Sequence, residues 1–151
     1  HLQRNKVKDA FRLFQMVESV DSLPLALEME KRGALLGQRM KVLIEVNLGG
    51  EETKSGASPE EVLELARRMA DMPHLSLEGL MSIPPFFSDP EGSRPYFRAL
   101  RRLRDEVLSA DIPGISMREL SMGMTSDFEV AIEEGATIVR IGTALFGPRP
   151  S

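Results

Sequence analysis

The sequence of 151 residues contains no cysteine and no tryptophan, and it has only one tyrosine and two histidines. Without thiols it cannot form disulfides or a thiolate metal site, and His1 and His74 are too few for a zinc site of the usual kind. A net charge of −4 offers no basic surface to a nucleic-acid backbone. No apolar run approaches the roughly 20 residues of a membrane-spanning helix. We therefore expect a cytoplasmic protein without a metal site that binds neither nucleic acid nor membrane.

What the sequence does contain is an alternation of helical and strand-like segments. Its composition, 42% hydrophobic and 28% charged, is that of one globular domain. Hydrophobic periodicity predicts helices over 5–14, 21–33, 58–72, 94–110 and 126–134, and strands over 16–20, 41–47, 77–83, 119–124 and 137–142. Five strands separated by helices of crossover length predict a parallel α/β architecture.

Capping residues mark several of the helix ends. Ser58 followed by Pro59 and Glu61 is a strong helix start, because the serine and the glutamate can form a capping box. Ser126 with Glu129 predicts a second capping box. Gly33 is typical of a helix end, so we expect the second helix to stop there.

Two parallel α/β folds are compatible with this pattern. The sequence has neither a G-x-G-x-x-G motif after its first strand nor a Walker motif, which argues against a nucleotide-binding doubly wound sheet. A complete (β/α)₈ barrel needs about 250 residues and eight strands, so five βα units would be only part of one. A complete five-stranded flavodoxin-like domain remains the alternative.

The best candidate site lies in the two loops that follow the last two predicted strands, 120–127 and 139–147. In parallel barrels such loops frequently bind phosphate through helix N-terminal amides. Gly123 would permit close backbone approach, Thr125 or Ser126 would supply a hydroxyl, and Gly142 and Thr143 would add amides and another hydroxyl. The alternative is that these loops are only capped turns.

Arg140 is a single arginine within an apolar strand. A guanidinium in that position needs either a partner or an opening to a ligand. It could equally lie on the outer face, paired with a helix carboxylate. Glu45 and Asn47 share one face of their strand, which suggests a polar layer at a barrel mouth.

A set of short segments spans essentially the whole chain in a characteristic order: 1–6, 19–21, 46–47, 54–56, 79–81 with 83–84, 93–94 with 96–97, 120–124, 127–128, 139–144 and 146–147. The most specific element is Ser-Met-Gly-Met followed by Arg-Ile-Gly-Thr at this separation. Together these segments resemble the YggS/PROSC family of pyridoxal 5′-phosphate (PLP) homeostasis proteins.

The resemblance implies a fold-type III PLP protein, that is, a TIM barrel like the N-terminal domain of alanine racemase. Family members hold PLP as a Schiff base on a lysine at the end of the first barrel strand. The corresponding segment would lie upstream of His1, so residues 1–151 are expected to be the N-terminally truncated, C-terminal portion of one barrel domain. No catalytic residue is therefore assigned within this sequence.

The resemblance also implies which residues of this sequence bind the cofactor. The expected phosphate-side residues are Ser121, Met124 and Thr125 after one strand and Gly142 and Thr143 after the next, and Arg140 is expected to face the pyridine nitrogen.

The function that the resemblance implies is PLP binding and homeostasis. Such a protein would carry or buffer the cofactor, hand it to PLP-dependent enzymes, and influence vitamin B6 and amino-acid pools without strong catalysis of its own. One alternative is an alanine-racemase-like enzyme, which would need a second acid/base residue opposite the lysine; Tyr96, the only tyrosine, lies at a helix start instead. The other is an unrelated phosphate-binding α/β domain.

Overall fold

The computed structural model describes residues 1–51 and 54–147. Two short 3₁₀ helices, Arg4–Lys6 and Pro90–Ser93, accompany the regular elements. The strands are β1 (Met16–Val20), β2 (Met40–Glu45), β3 (Leu75–Met81), β4 (Glu119–Met124) and β5 (Ile138–Arg140). The helices are α1 (Val7–Leu13), α2 (Leu23–Leu36), α3 (Pro59–Ala70), α4 (Arg94–Ser109), α5 (Phe128–Glu133) and α6 (Thr143–Phe146).

All five strands are parallel, and their order in the sheet is their order in the sequence, β1-β2-β3-β4-β5. Each new strand is added on the same side of the one before it. Because the crossovers between parallel strands are right-handed, the connecting helices α2 to α5 then lie on the same face of the sheet. A doubly wound sheet has to reverse its strand order, so the flavodoxin-like alternative is wrong. The predicted α/β fold with five parallel strands is confirmed.

The main hydrophobic core lies between the sheet and these helices. Side chains from alternate positions of the strands enter it, including Val42 and Ile44 of β2 and Leu120 and Met122 of β4. Phe97 of α4 is the largest fully buried side chain that the helices contribute. This alternation leaves the residues between them, such as Leu43, on the opposite face.

The opposite face is strongly curved. The Ser121 hydroxyl of β4 donates to Glu18 Oε2 of β1 at 2.6 Å, although β2 and β3 lie between these strands. In a flat sheet three strand spacings would separate their backbones by roughly 14 Å. The contact therefore requires a curled sheet whose interior face brings β1 and β4 towards each other. Leu43, which lies outside the main core, is completely buried in this interior.

Most predicted element boundaries agree with the structure, and the Ser58/Glu61 capping box is present. The helix end at Gly33 is wrong, because α2 continues to Leu36 and ends at Gly37, whose φ is +61°. Gly33 lies inside the helix, where a Cβ atom would come within 2.6 Å of His74 Cβ. Glycine is needed at this position because His74 packs closely against the helix, and not because the helix ends there.

No helix in the described ranges is both long and apolar enough to cross a bilayer. The same residues contain no group of three or more histidine or acidic side chains arranged to hold a metal ion.

Candidate functional site

The loops that follow β4 and β5 lie side by side at the carboxyl edge of the sheet. Met124 at the end of β4 is in register with Arg140 at the end of β5. Beyond them, Thr125 Oγ1 accepts a hydrogen bond from the amide of Ala144 at 3.4 Å. The structure thus brings together the two loops that the sequence singled out.

The loop after β4 is held by Asp127 rather than by the predicted Ser126 capping box. One carboxylate oxygen of Asp127 accepts the Met124 amide at 2.7 Å, and the other accepts the Ser93 hydroxyl at 2.8 Å. Asp127 is also the N-cap residue of α5. Since the Met124 amide is already bonded, Met124 can contribute to a site through its side chain, which is 44% exposed.

Gly123 and Gly142, the two glycines of these loops, serve different purposes. Gly123 has a φ of +92°, and a Cβ atom there would lie 2.5 Å from Ala131 Cβ, so packing against α5 requires glycine. A Cβ atom at Gly142, by contrast, would meet nothing within 4 Å. The space in front of Gly142 is open.

Gly142 and Thr143 form the start of α6, and both residues are exposed. Amides in the first turn of a helix have no partner within the helix. These two amides and the hydroxyl of Thr125, which lies beside the same turn, are donors suited to an anion. The local geometry therefore fits a phosphate group.

Arg140 points into the curled face, not outward to a helix carboxylate. Its guanidinium donates to Ser121 Oγ at 2.6 Å and to the carbonyl oxygen of Ser82 at 2.9 Å. Burial lowers the pKa of Arg140, while Glu18 and Glu45 act in the opposite direction. Its usual pKa lies so far above neutrality that the side chain stays charged.

Ser121 links this arginine to an acidic group on the far side of the interior. It is fully buried, donates its proton to Glu18 and accepts from Arg140. A serine hydroxyl has one proton to donate, and that of Ser121 is donated to Glu18. Among the described residues, Ser121 therefore positions Arg140 and has no proton left for a ligand beside Thr125.

Glu18 is the member of the site that sequence reasoning missed. The available signal was a single carboxylate in the otherwise uncharged strand β1, the same signal that identified Arg140 in β5. Because nothing in the sequence shows which strands face each other across a curled sheet, Glu18 could not be matched to Ser121. We call Glu18, Glu45, Ser121 and Arg140 the interior polar layer.

Glu45 completes this layer from β2. Its side chain is 7% exposed, and burial raises its pKa. Oε2 of Glu45 makes no hydrogen bond within residues 1–51 and 54–147. The predicted polar face of β2 is thus confirmed for Glu45, which retains an unpartnered oxygen inside the curled sheet.

The interior polar layer and the loops above it together suit a ligand with an anionic arm and a polar ring. The open turn at Gly142 offers donors to the arm, and Arg140, which is half-buried, offers a cation beneath it. Guanidinium has five N–H donors, and Arg140 uses two hydrogen bonds, to Ser121 and Ser82, among the described residues. These features fit the phosphate and pyridine groups of PLP.

Known proteins resemble this chain in both sequence and fold. The family model for the N-terminal domain of alanine racemase matches residues 1–150. A pyridoxal phosphate homeostasis protein from Aquifex aeolicus is 51% identical over 148 residues, which are 98% of this chain and 64% of that protein. The chain thus spans slightly less than two thirds of the length of this relative.

Two solved structures show the same fold at substantial identity. A protein of unknown function from Bifidobacterium adolescentis superposes with a TM-score of 0.91 at 43% identity, over 97% of this chain and 58% of its own. PipY, a COG0325 family member from Synechococcus elongatus solved with PLP bound, gives a TM-score of 0.88 at 32% identity, over 97% of this chain and 68% of its own.

Proposed function

Because the chain belongs to the alanine racemase N-terminal domain family, with the pyridoxal phosphate homeostasis proteins among its relatives, we propose that it forms part of a PLP-binding barrel that carries the cofactor. In this proposal residues 1–151 are the later portion of a single (β/α)₈ domain. The protein works in the cytoplasm, hands PLP to enzymes that depend on it and so influences vitamin B6 and amino-acid pools.

The observation that carries this proposal is that an open helix start at Gly142 follows directly after a half-buried guanidinium held in the curled sheet. Thr125, Gly142 and Thr143 would bind the phosphate, with Met124 beside them at the mouth. Arg140 would face the pyridine nitrogen. Ser121 would contribute by holding Arg140, since its proton is donated to Glu18.

When bound, PLP supplies an electron-withdrawing ring that can stabilise a carbanion. A permanent cation opposite the ring nitrogen disfavours protonation of that nitrogen, which weakens this property. Arg140 would therefore favour storage of the cofactor over rapid chemistry on it. This supports a carrier with no strong catalysis of its own.

The racemase-like alternative has less support from the described residues. Tyr96 lies in α4, where its ring packs against Phe87 with the ring centroids 5.7 Å apart. Among the described residues Tyr96 makes no hydrogen bond to the interior polar layer. An enzyme of that kind would need its second acid/base group from elsewhere.

Covalent labelling tests the proposal on the full-length protein. After incubation with PLP and reduction with borohydride, mass spectrometry should place the adduct on a lysine upstream of His1, as the family resemblance implies. An adduct confined to Lys54 would contradict the proposed placement. Lys54 is the internal control, because its ammonium group pairs with Glu51 at 2.7 Å and should not react with PLP.

A matched substitution tests the phosphate turn. Gly142→Ala adds a methyl group that meets no protein atom within 4 Å, so the free energy of unfolding should change by less than about 0.5 kcal/mol. The methyl group would occupy the space proposed for phosphate, so PLP affinity should fall about tenfold. Unchanged affinity would remove this turn from the site.

A further inference from the structure

Glu45 has a buried carboxyl oxygen that nothing in the proposed site yet uses. Its side chain is 93% buried, and Oε2 has no hydrogen-bond partner among the described residues. Leaving such a group unsatisfied is destabilising, because it loses its hydrogen bonds to water without replacement. Buried polar atoms are rarely left in that state, so an unpaired one points to a missing partner.

The position of Glu45 places that missing partner in the interior polar layer. Glu45 is in register with Met81 across β2 and β3, and Met81 is in register with Ser121 across β3 and β4. These three side chains share a face and a level of the parallel sheet. Arg140 reaches the same level because it donates to Ser121.

Arg140 is close to both the phosphate loops and Glu45, since it ends the strand that leads into the turn at Gly142 and Glu45 acts to raise its pKa. Those loops follow β4 and β5, whereas Glu45 comes from β2. In the sheet, β3 and β4 lie between β2 and β5, so Glu45 is displaced from the turn at Gly142 that is proposed for the phosphate. The unpartnered oxygen of Glu45 thus faces a part of the ligand other than its phosphate arm.

The chemistry of PLP identifies that part. Its phosphate arm and its phenolic oxygen lie on opposite sides of the axis through the ring nitrogen. A ring with its nitrogen towards Arg140 and its arm towards the loops after β4 and β5 would have its phenolic edge on the side away from those loops, which is the side of β2.

We propose that Glu45 is a further ligand-contacting residue whose free carboxyl oxygen hydrogen-bonds the phenolic oxygen of PLP. This contact rests on the proposed function. Burial raises the pKa of Glu45, which helps the carboxyl group to retain the proton that it would donate.

A ligand pair and two variants of the full-length protein test the contact. PLP and its 3-deoxy analogue, which lacks the phenolic oxygen, are titrated against the wild type, Glu45→Leu and Glu45→Gln by absorbance and fluorescence. In the wild type the analogue should bind about tenfold more weakly, as expected for a lost hydrogen bond to a charged group. In Glu45→Leu, PLP should bind as weakly as the analogue, whereas Glu45→Gln should resemble the wild type because its amide can donate.

Glu78→Gln is the control, because it makes the same chemical change at a glutamate whose oxygens are already partnered, by the hydroxyl groups of Ser76 and Ser116. It should leave both affinities unchanged. Circular dichroism establishes that each variant folds, and Glu45→Asp, with a shortened side chain, replaces Glu45→Leu if the latter does not fold.

The contact would be overturned if removing the phenolic oxygen weakened binding by the same factor in the wild type and in Glu45→Leu. It would also be overturned if Glu45→Gln bound PLP as weakly as Glu45→Leu. A wild-type protein that binds neither ligand would overturn the proposed function and the contact with it. A wild-type protein that binds both ligands equally would overturn the contact alone.

Discussion

Arg94 on the outside of the molecule and Arg140 on the interior face are both surrounded by acidic residues, but their contacts differ in kind. Arg94 bonds directly to the carboxylates of Glu91, Glu133 and Glu134 at 2.6 to 2.8 Å. These bonds raise the pKa of Arg94. The direct contacts of Arg140 are neutral oxygens, from Ser121 and Ser82, and burial lowers its pKa.

The difference separates a structural arginine from one that is available to a ligand. The guanidinium of Arg94 is neutralised by carboxylates from two places, the 3₁₀ helix Pro90–Ser93 and the end of α5, and so links both to α4. The inner guanidinium is positioned by a hydroxyl and a carbonyl, and its compensating carboxylate, Glu18, acts through Ser121. A positioned but incompletely neutralised cation suits recognition of a ring nitrogen or another acceptor.

The largest expected effect comes from removing the inner charge. Arg140→Met removes a half-buried cation and its hydrogen bonds to Ser121 and Ser82, so the free energy of unfolding should fall by about 2 kcal/mol. PLP binding should weaken by at least about tenfold, equivalent to about 1.4 kcal/mol. Urea unfolding and cofactor titration of the full-length protein measure the two effects.

Arg94→Met serves as the comparison for this prediction. Glu134 would keep its contacts with Arg98 and Arg101, and Glu91 and Glu133 are largely exposed to water. Stability should therefore fall less than in Arg140→Met, and PLP affinity should not change. Equal losses of affinity in both variants would erase the distinction between the two arginines.

The pH dependence of stability should have opposite signs in the two regions. The pKa of Glu45 is raised by burial above its usual 4.5, so its contribution to stability is complete below that value and is lost as the pH rises through the raised pKa. Glu45→Gln should remove this decline. Urea unfolding at a series of pH values, compared between the wild type and the variant, measures it.

Glu134 should behave in the reverse manner. Its pKa is lowered, chiefly by the hydrogen bond from Arg94 and also by Arg98 and Arg101. Its contribution is present above the usual value and is lost as the pH falls through the lowered pKa. If Glu134→Gln and Glu45→Gln changed the pH profile in the same direction, the comparison between the two regions would fail.

The smallest effect concerns salt. Raising the ionic strength from about 0.1 M to about 1 M shortens the Debye length from about 10 Å to about 3 Å. The stability difference between the wild type and Arg94→Gln should shrink accordingly. The difference for Arg140→Gln should shrink less, because Arg140 bonds to the fully buried Ser121 inside the curled sheet. An equal change in both differences would show that salt screens the two guanidinium groups alike.

Much of the fold could be predicted from local signals in the sequence. The strand at 16–20 and the strand at 119–124 agree residue for residue with β1 and β4. β-branched and apolar runs specify buried parallel strands, and capping residues such as Ser58 specify where a helix begins. The loops after β4 and β5 were also identified correctly as neighbours, because parallel strands end at one edge of the sheet.

The errors concern residues whose role depends on distant packing. Gly33 has the residue type of a helix end, but His74, 41 positions later, makes it an interior packing glycine. Ser126 has the spacing of a cap, yet Asp127 is better placed to bond both Met124 and Ser93. Local propensity cannot anticipate such contacts, because the competing partner comes from another element.

The sequence by itself determined the alternation of strands and helices, the position of the two loops and the presence of a lone arginine in β5, because each depends on residue types within a few positions of one another. Only the tertiary structure decided that Arg140 faces inward, that Glu18 joins it through Ser121 and that Glu45 retains a free oxygen. Those facts depend on the curvature of the sheet, which brings together side chains from strands that are not neighbours.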